Sequence, residues 1–303
     1  MPTFLDQISP EPMRRQLAEL AASDAAIRVQ SFLLGQDRLL QWAHSAGVAS
    51  NPALRARVSP VAPLELRSID GSPEEPIYLW TGLVDIMNFF AIYQRLGTQR
   101  TDRKPRVLDF GCGSGRIARF LSMHDGVEPY GVDANPLLVE WCQLNLDRVV
   151  TLLQAGRQPL PFGEAMFDFV YAISLFSGAA HNRVQQWFDE VTRVLAPGGL
   201  LLAVTYGPTA LATIRGSASH QATFQINAAR VNELMEQLAA EGLVHVPYAP
   251  GSVRPDQAAA GDGHTFIHPE YPAANWNSEA FDVLQHIPGG LRGWQDIVVL
   301  QRK

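Results

Sequence analysis

The chain has 303 residues, 47% of them hydrophobic, with a formal net charge of −6 and two cysteines, Cys112 and Cys142. That length buries a large core, as one big domain or a domain with an added lobe. The acidic balance and the lack of a long Lys/Arg run exclude an avid nucleic-acid binder, and two cysteines build neither a disulfide framework nor a metal cluster.

The first 60 residues are rich in Ala, Leu, Gln and Arg and read as helical, with Met13, Leu17, Leu20 and Ala21 at helical spacing after Pro10-Glu11-Pro12 and a second helix from Ile27 to Trp42. Met1–Asp6 has no basic region leading into an apolar run, so no secretory leader is expected, and the cysteine usage suits a cytoplasmic protein. No apolar run approaches the roughly 20 residues of a membrane span. A proline-rich joint at 58–63 leads to a strongly apolar helix from Tyr78 to Leu96, in which Leu79, Leu83, Ile86, Met87, Phe90 and Tyr93 share a broad face. It reads as a core helix or as a lid beside a ligand.

From Lys104 strands and helices alternate, the pattern of a doubly wound sheet. Strands are expected at 106–110, 128–132, 149–153, 167–172 and 200–205. Helices are expected at about 115–123, at 137–146, and before Pro197-Gly198-Gly199, where Val184, Trp187, Phe188, Val191, Val194 and Leu195 point inward. Residues 207–275 lose this regularity apart from an Ala-rich helix at about 228–241, and read as an insertion after strand five that serves the acceptor site. The chain closes with two strands, about 280–286 and 296–301, joined by a turn at Ile287-Pro288-Gly289-Gly290.

The stretch that carries chemistry is Asp109-Phe110-Gly111-Cys112-Gly113-Ser114-Gly115-Arg116, where a strand passes through a glycine turn into a helix. Glycines accept backbone angles that other residues avoid and let a ligand lie against the main chain, which is the design of a nucleotide-cofactor site. A dinucleotide fingerprint needs a glycine at position 116, which is arginine here. Asp133, 18 positions after Gly115, ends the second strand, where an acid reaches the ribose hydroxyls of a bound nucleoside. The alternative for Asp133 is a helix-capping carboxylate before Pro136. Cys112 reads as a small side chain that fits the turn, not as a nucleophile.

The Asp-x-Gly-x-Gly-x-Gly pattern, with Leu160-Pro161-Phe162 and Phe167-Asp168-Phe169-Val170 further on, resembles the class I S-adenosylmethionine-dependent methyltransferases. Within that class, Ala172–Ser177, Arg193–Gly199, the segment Pro63–Gly71 with Tyr78 and Gly82, and His264-Thr265-Phe266, Trp276 and Gln295-Asp296 are similar to a bacterial group that modifies glycans or secondary metabolites. The resemblance covers about residues 60–303. It implies a Rossmann-like α/β fold: a doubly wound, mostly parallel seven-stranded sheet, with a helical cap at 1–103 and a cofactor-binding core at 104–303. It also implies S-adenosyl-L-methionine as cofactor, held by Asp109, Gly111, Cys112, Gly113, Gly115, Asp133, Ala134, Ser174, Phe176, Tyr78 and Gly82.

The expected reaction is methyl transfer to a small-molecule acceptor, such as the hydroxyl of a sugar or secondary metabolite, with no nucleic-acid or metal partner. A hydroxyl acceptor needs a base, and histidine titrates in the right range. The group's loop histidine is replaced by Gly178, which leaves His264, His181 and His220 as candidates, with His264 ranked first because it precedes an apolar pair after the insertion. Two other readings compete: a module that binds the cofactor without catalysis, and a nicotinamide-dependent oxidoreductase, against which Arg116 counts.

Overall fold

The computed structural model describes residues 59–69, 73–122, 126–154, 159–178, 181–248, 262–276 and 278–303. The helices expected before residue 59 lie outside the described residues. The chain divides into two compact units, Met1–Val170 and Tyr171–Lys303. The sheet is the expected one: seven strands in the order β3-β2-β1-β4-β5-β9-β8, mostly parallel, with β9 antiparallel to both β5 and β8.

The first unit holds α1 (Leu64–Ile69), α2 (Glu75–Leu96), β1 (Arg106–Phe110), α3 (Ala118–Leu121), β2 (Glu128–Asp133), α4 (Pro136–Asn145), β3 (Val150–Leu153) and the start of β4 (Phe167–Ala172). Helix α2 is apolar on nearly every side, and Tyr78, Leu79, Leu83, Ile86, Phe89, Phe90 and Tyr93 are all buried. It is therefore a core helix. Its Tyr93 ring stacks on Phe169 of β4 at 4.9 Å, with Phe90 edge-on to the same ring at 5.7 Å. Strands β1 and β2 run parallel in register from Arg106 opposite Glu128 to Phe110 opposite Val132, so their carboxyl ends lie side by side.

The helix expected at 115–123 is only the turn Ala118–Leu121. The reason is backbone angle: Gly111, Gly113 and Gly115 have φ of 84°, 54° and 80°, which no α-helix accommodates. Asp168 is a strand residue, buried and held by both Arg103 nitrogens (2.6 and 2.9 Å) and the Arg106 amide at 2.8 Å.

The second unit continues with α5 (His181–Val194), β5 (Leu195–Thr205), α6 (Pro208–Gly216), α7 (Ala218–Phe224), α8 (Ala228–Glu241), β6 (Leu243–Pro247), β7 (Gly263–Ile267), α9 (Tyr271–Asn275), β8 (Phe281–Leu291) and β9 (Gln295–Arg302). Helix α5 stops at Val194, and Pro197-Gly198-Gly199 belongs to β5, with Gly198 at φ 77°. The described part of 207–275 is more regular than its sequence suggests. Helices α6, α7 and α8 share one apolar cluster built on Leu211, Ile214, Phe224, Leu234, Leu238 and Phe266, and β6 pairs with β7 as a separate two-stranded sheet. The final turn also moves. Strand β8 runs through Ile287–Gly290 as an irregular edge with a register shift, and the reversal falls at Arg292-Gly293-Trp294. An edge strand tolerates Pro288 because it needs fewer backbone donors.

Candidate functional site

Within the first unit, the carboxyl ends of β1 and β2 and the glycine loop between β1 and α3 form a half-open surface. Gly111 and Gly113 are half-exposed, while Cys112, Ser114 and Gly115 alternate with them on the buried side. The Gly111 and Cys112 amides both donate to the Val132 carbonyl (2.8 and 3.0 Å), which pins the loop to β2. Gly115 has no room for a side chain, because a Cβ there would lie 2.3 Å from Leu146.

Asp133 ends β2, half-exposed, beside this loop. One carboxylate oxygen accepts the Gly113 amide at 2.9 Å and the other accepts the Asn135 amide at 2.8 Å. The capping role for α4 falls instead to Asn135, whose side chain accepts from the Leu137 amide at 3.0 Å. Ala134, next to Asp133, is exposed, and Asp109 is buried one residue before the end of β1. Open backbone at two glycines beside a carboxylate fits the sugar end of a nucleoside cofactor.

Other expected contacts lie behind this surface. Cys112 is buried, and its neighbour Cys142, burial, and the Asp109 and Asp133 carboxylates hold its pKa well above the usual thiol range. It is therefore an inert thiol. Tyr78 is fully buried, with its hydroxyl 3.0 Å from both the Ser114 carbonyl and Ser114 Oγ. Gly82 packs directly on the Arg116 carbonyl, 2.1 Å from where a Cβ would stand. Asp85, one turn further, pairs with Arg116 at 2.7 Å. That pair was not read from the sequence, although a lone acid on an apolar helix and an arginine directly after the glycine turn were its two signals.

In the second unit, Ser174 follows β4 with a φ of 65°, an angle that a residue other than glycine adopts only under constraint. Phe176 is fully buried among Phe188 (5.1 Å), Trp187 (6.0 Å) and Trp276 (6.2 Å). His181 begins α5, and its side chain lies outside the described residues. His220 sits on α7, with Nδ1 2.9 Å from Ser217 Oγ and its ring edge-on to Trp294 at 5.5 Å.

His264 lies half-buried on β7, its ring 4.5 Å from Phe224, 4.9 Å from Tyr248 and 6.3 Å from Tyr206. The flanking amides of Gly263 and Thr265 donate to the Gly178 and Ser177 carbonyls (3.0 and 2.8 Å), which ties β7 to the loop after β4. Burial, helped by His245, lowers the His264 pKa to about 4, against a hydrogen bond to the Phe224 backbone. The ring is thus neutral near pH 7, with one nitrogen donating to Phe224 and the other carrying a lone pair. Tyr206, at the carboxyl end of β5, stacks on Trp294 at 5.6 Å. Burial, with the charge of Tyr248, raises its pKa to about 12. The rings around His264 were missed in the sequence because the set draws single residues from five separate segments. Among the described residues, no group of three or more His, Cys, Asp or Glu is arranged to hold a metal ion, and no helix is long and apolar enough to cross a membrane.

Residues 108–203 match the family described as methyltransferase domain. An uncharacterised methyltransferase of Synechocystis is 28% identical over 162 residues, which cover 51% of this chain and 76% of the relative. Two proteins of Oryza sativa, a 24-methylenesterol C-methyltransferase and a probable tocopherol O-methyltransferase, are 32% and 31% identical over 111 residues. In each case these are 35% of this chain and 30% of the relative. The match begins inside β1, takes in the glycine loop and Asp133, and ends within β5. The cofactor is accordingly S-adenosylmethionine, and residues 108–203 are a class I S-adenosylmethionine-dependent methyltransferase domain.

Proposed function

We propose that the chain moves the methyl group of S-adenosylmethionine to a hydroxyl oxygen of a small or medium acceptor, such as a sugar or a secondary metabolite. The cofactor supplies a methyl carbon bound to a positively charged sulfur. The chain's own residues hold the nucleoside, exclude water and take one proton. Gly111, Gly113 and Asp133 hold the donor through backbone and carboxylate. His264 is the base. With donor and acceptor bound, the cofactor would give up its methyl group and depart as a neutral thioether, and His264 would take the acceptor's hydroxyl proton.

The observation that carries this reading is the state of His264. It is neutral, oriented by the Phe224 carbonyl and surrounded by Phe224, Tyr248 and Tyr206. Methyl transfer to carbon also sheds a proton, from carbon in place of oxygen, so the bond formed in the product separates the two reactions. A methyl-13C donor incubated with a panel of sugar, phenol and alcohol acceptors tests the reading. A methoxy signal in the product supports it, while a carbon-bound methyl, or no turnover on the whole panel, overturns it.

A further inference from the structure

We propose that helix α2 governs cofactor affinity without touching the cofactor, and that Tyr78 and Asp85 are positioning residues for the glycine loop. The inference rests on the cofactor alone and is independent of the acceptor.

Three glycines at positive φ give the loop many shapes of similar energy, only one of which presents Gly111 and Gly113 beside Asp133. A loop that must be ordered by its ligand binds weakly, and one already held in the bound shape binds well. Bonds to Val132 and Asp133 hold the start of the loop on β2, and a single stripe of α2 holds its second half. Tyr78, Gly82 and Asp85 are spaced four and three apart, so they lie on one face of the helix.

Each grips a different part of the loop. The Tyr78 hydroxyl reaches Ser114 at its carbonyl and its Oγ, both at 3.0 Å. Gly82 lets the helix backbone lie against the Arg116 carbonyl, which any larger residue would push away. Asp85, fully buried, takes Arg116 Nη1 at 2.7 Å. The stripe is itself tied down: the Arg119 guanidinium lies 5.6 Å over the Tyr78 ring and donates to the carbonyls of Ser59 and Pro60.

The alternation along the loop divides its labour. Gly111 and Gly113 face outward toward the ligand side, and Ser114 and Gly115 face inward. Burying a carboxylate and a guanidinium is an expensive way to join two elements, since apolar residues of the same size do so at lower cost. What the ion pair adds is direction. It fixes where Arg116, and with it the exit of the loop, can stand.

The test uses the full chain and S-adenosylhomocysteine as probe. Tyr78→Phe removes one hydroxyl, and Asp85→Asn and Asp85→Glu grade the ion pair. Calorimetric titration reads affinity, thermal melting without ligand reads stability, and hydrogen exchange reads the Gly113, Ser114 and Gly115 amides of the ligand-free protein. The expected result for Tyr78→Phe is a dissociation constant raised about tenfold or more, with faster exchange at those amides and an almost unchanged ligand-free melting temperature. Asp85→Glu recovers part of what Asp85→Asn loses. Unchanged affinity in Tyr78→Phe overturns the proposal. So does weaker binding with unaltered ligand-free exchange, because that marks Tyr78 as a direct cofactor contact.

Discussion

The imidazole of His286 bridges two acceptors: its Nε2 meets the fully buried carboxylate of Asp296 at 3.0 Å, and its Nδ1 meets the Pro269 carbonyl at 2.9 Å. A carbonyl and an ionised carboxylate only accept, so this pair of partners favours a proton on both ring nitrogens. Asp296 also accepts the Gly289 amide at 2.8 Å, which anchors the irregular stretch of β8 to β9.

This pair makes stability pH-dependent. Burial opposes charge on His286, but the hydrogen bonds to Asp296 and Pro269 and the carboxylate charge outweigh it, and its pKa is raised above 6.5. A raised histidine contributes stability that is full below the unfolded pKa of 6.5 and is lost as pH rises through the folded pKa. His286→Asn leaves a buried carboxylate without its partner, and is expected to cost about 3–5 kcal/mol at acidic pH. Urea unfolding of parent and variant across mildly acidic to alkaline pH checks the sign. The gap between them narrows as pH rises; a gap that widens refutes the assignment.

Gly115 faces two obstacles to substitution. Its φ of 80° strains any side-chain-bearing residue, and a Cβ would lie 2.3 Å from Leu146 and 3.3 Å from Cys142 Sγ. Gly115→Ala is expected to lose about 1–3 kcal/mol of stability and to weaken cofactor binding. Gly163, with nothing within 4 Å of its would-be Cβ, is the control. Gly163→Ala should leave the denaturation midpoint unchanged or slightly raised.

Asp133 accepts the Gly113 amide, and in the proposed site it also meets the ribose. Removing it loosens the loop and deletes the acceptor together. Asp133→Ala is expected to raise the S-adenosylmethionine dissociation constant by roughly 10- to 100-fold, or about 1.4–3 kcal/mol. Titration calorimetry reads this directly. Asp133→Asn keeps one carbonyl acceptor and should fall between the two.

The strands of the sheet and the cofactor loop were legible because their signals are local. A short apolar run ending in an acid, three alternating glycines and an acid at the end of the next strand all sit within 25 residues, from Asp109 to Asp133. Within 207–275 the helix expected at about 228–241 is α8, and the rest was not legible: α6 and α7 are short, α7 ending at Gln225 with a φ of 56°, and their apolar residues meet those of α8 only in three dimensions. Asp168 and Asp296 read equally well as turn residues, and their ion-pair partners Arg103 and His286 lie 65 and 10 positions away. The final turn was misread because Pro288-Gly289-Gly290 carries every mark of a reversal. The chain instead absorbs it as an irregular edge fastened by Asp296.

His264 has the opposite linkage to His286. Its folded pKa, about 4, lies below the unfolded 6.5, so the stability it contributes is present above pH 6.5 and is lost as pH falls toward 4. The groups packed around it are Phe224, Tyr206, Tyr248 and His245. If His264 is the base, the turnover rate with a hydroxyl acceptor does not fall through pH 6.5, as it would for an exposed histidine, and drops only toward pH 4. His264→Ala is expected to reduce kcat about 100- to 10,000-fold. Its dissociation constant for S-adenosylhomocysteine should stay within about twofold of the parent, because His264 has no part in holding the donor. A rate that falls near pH 6.5 in the parent, or a His264→Ala variant that keeps its turnover, would move the search for the base to His220 or His181.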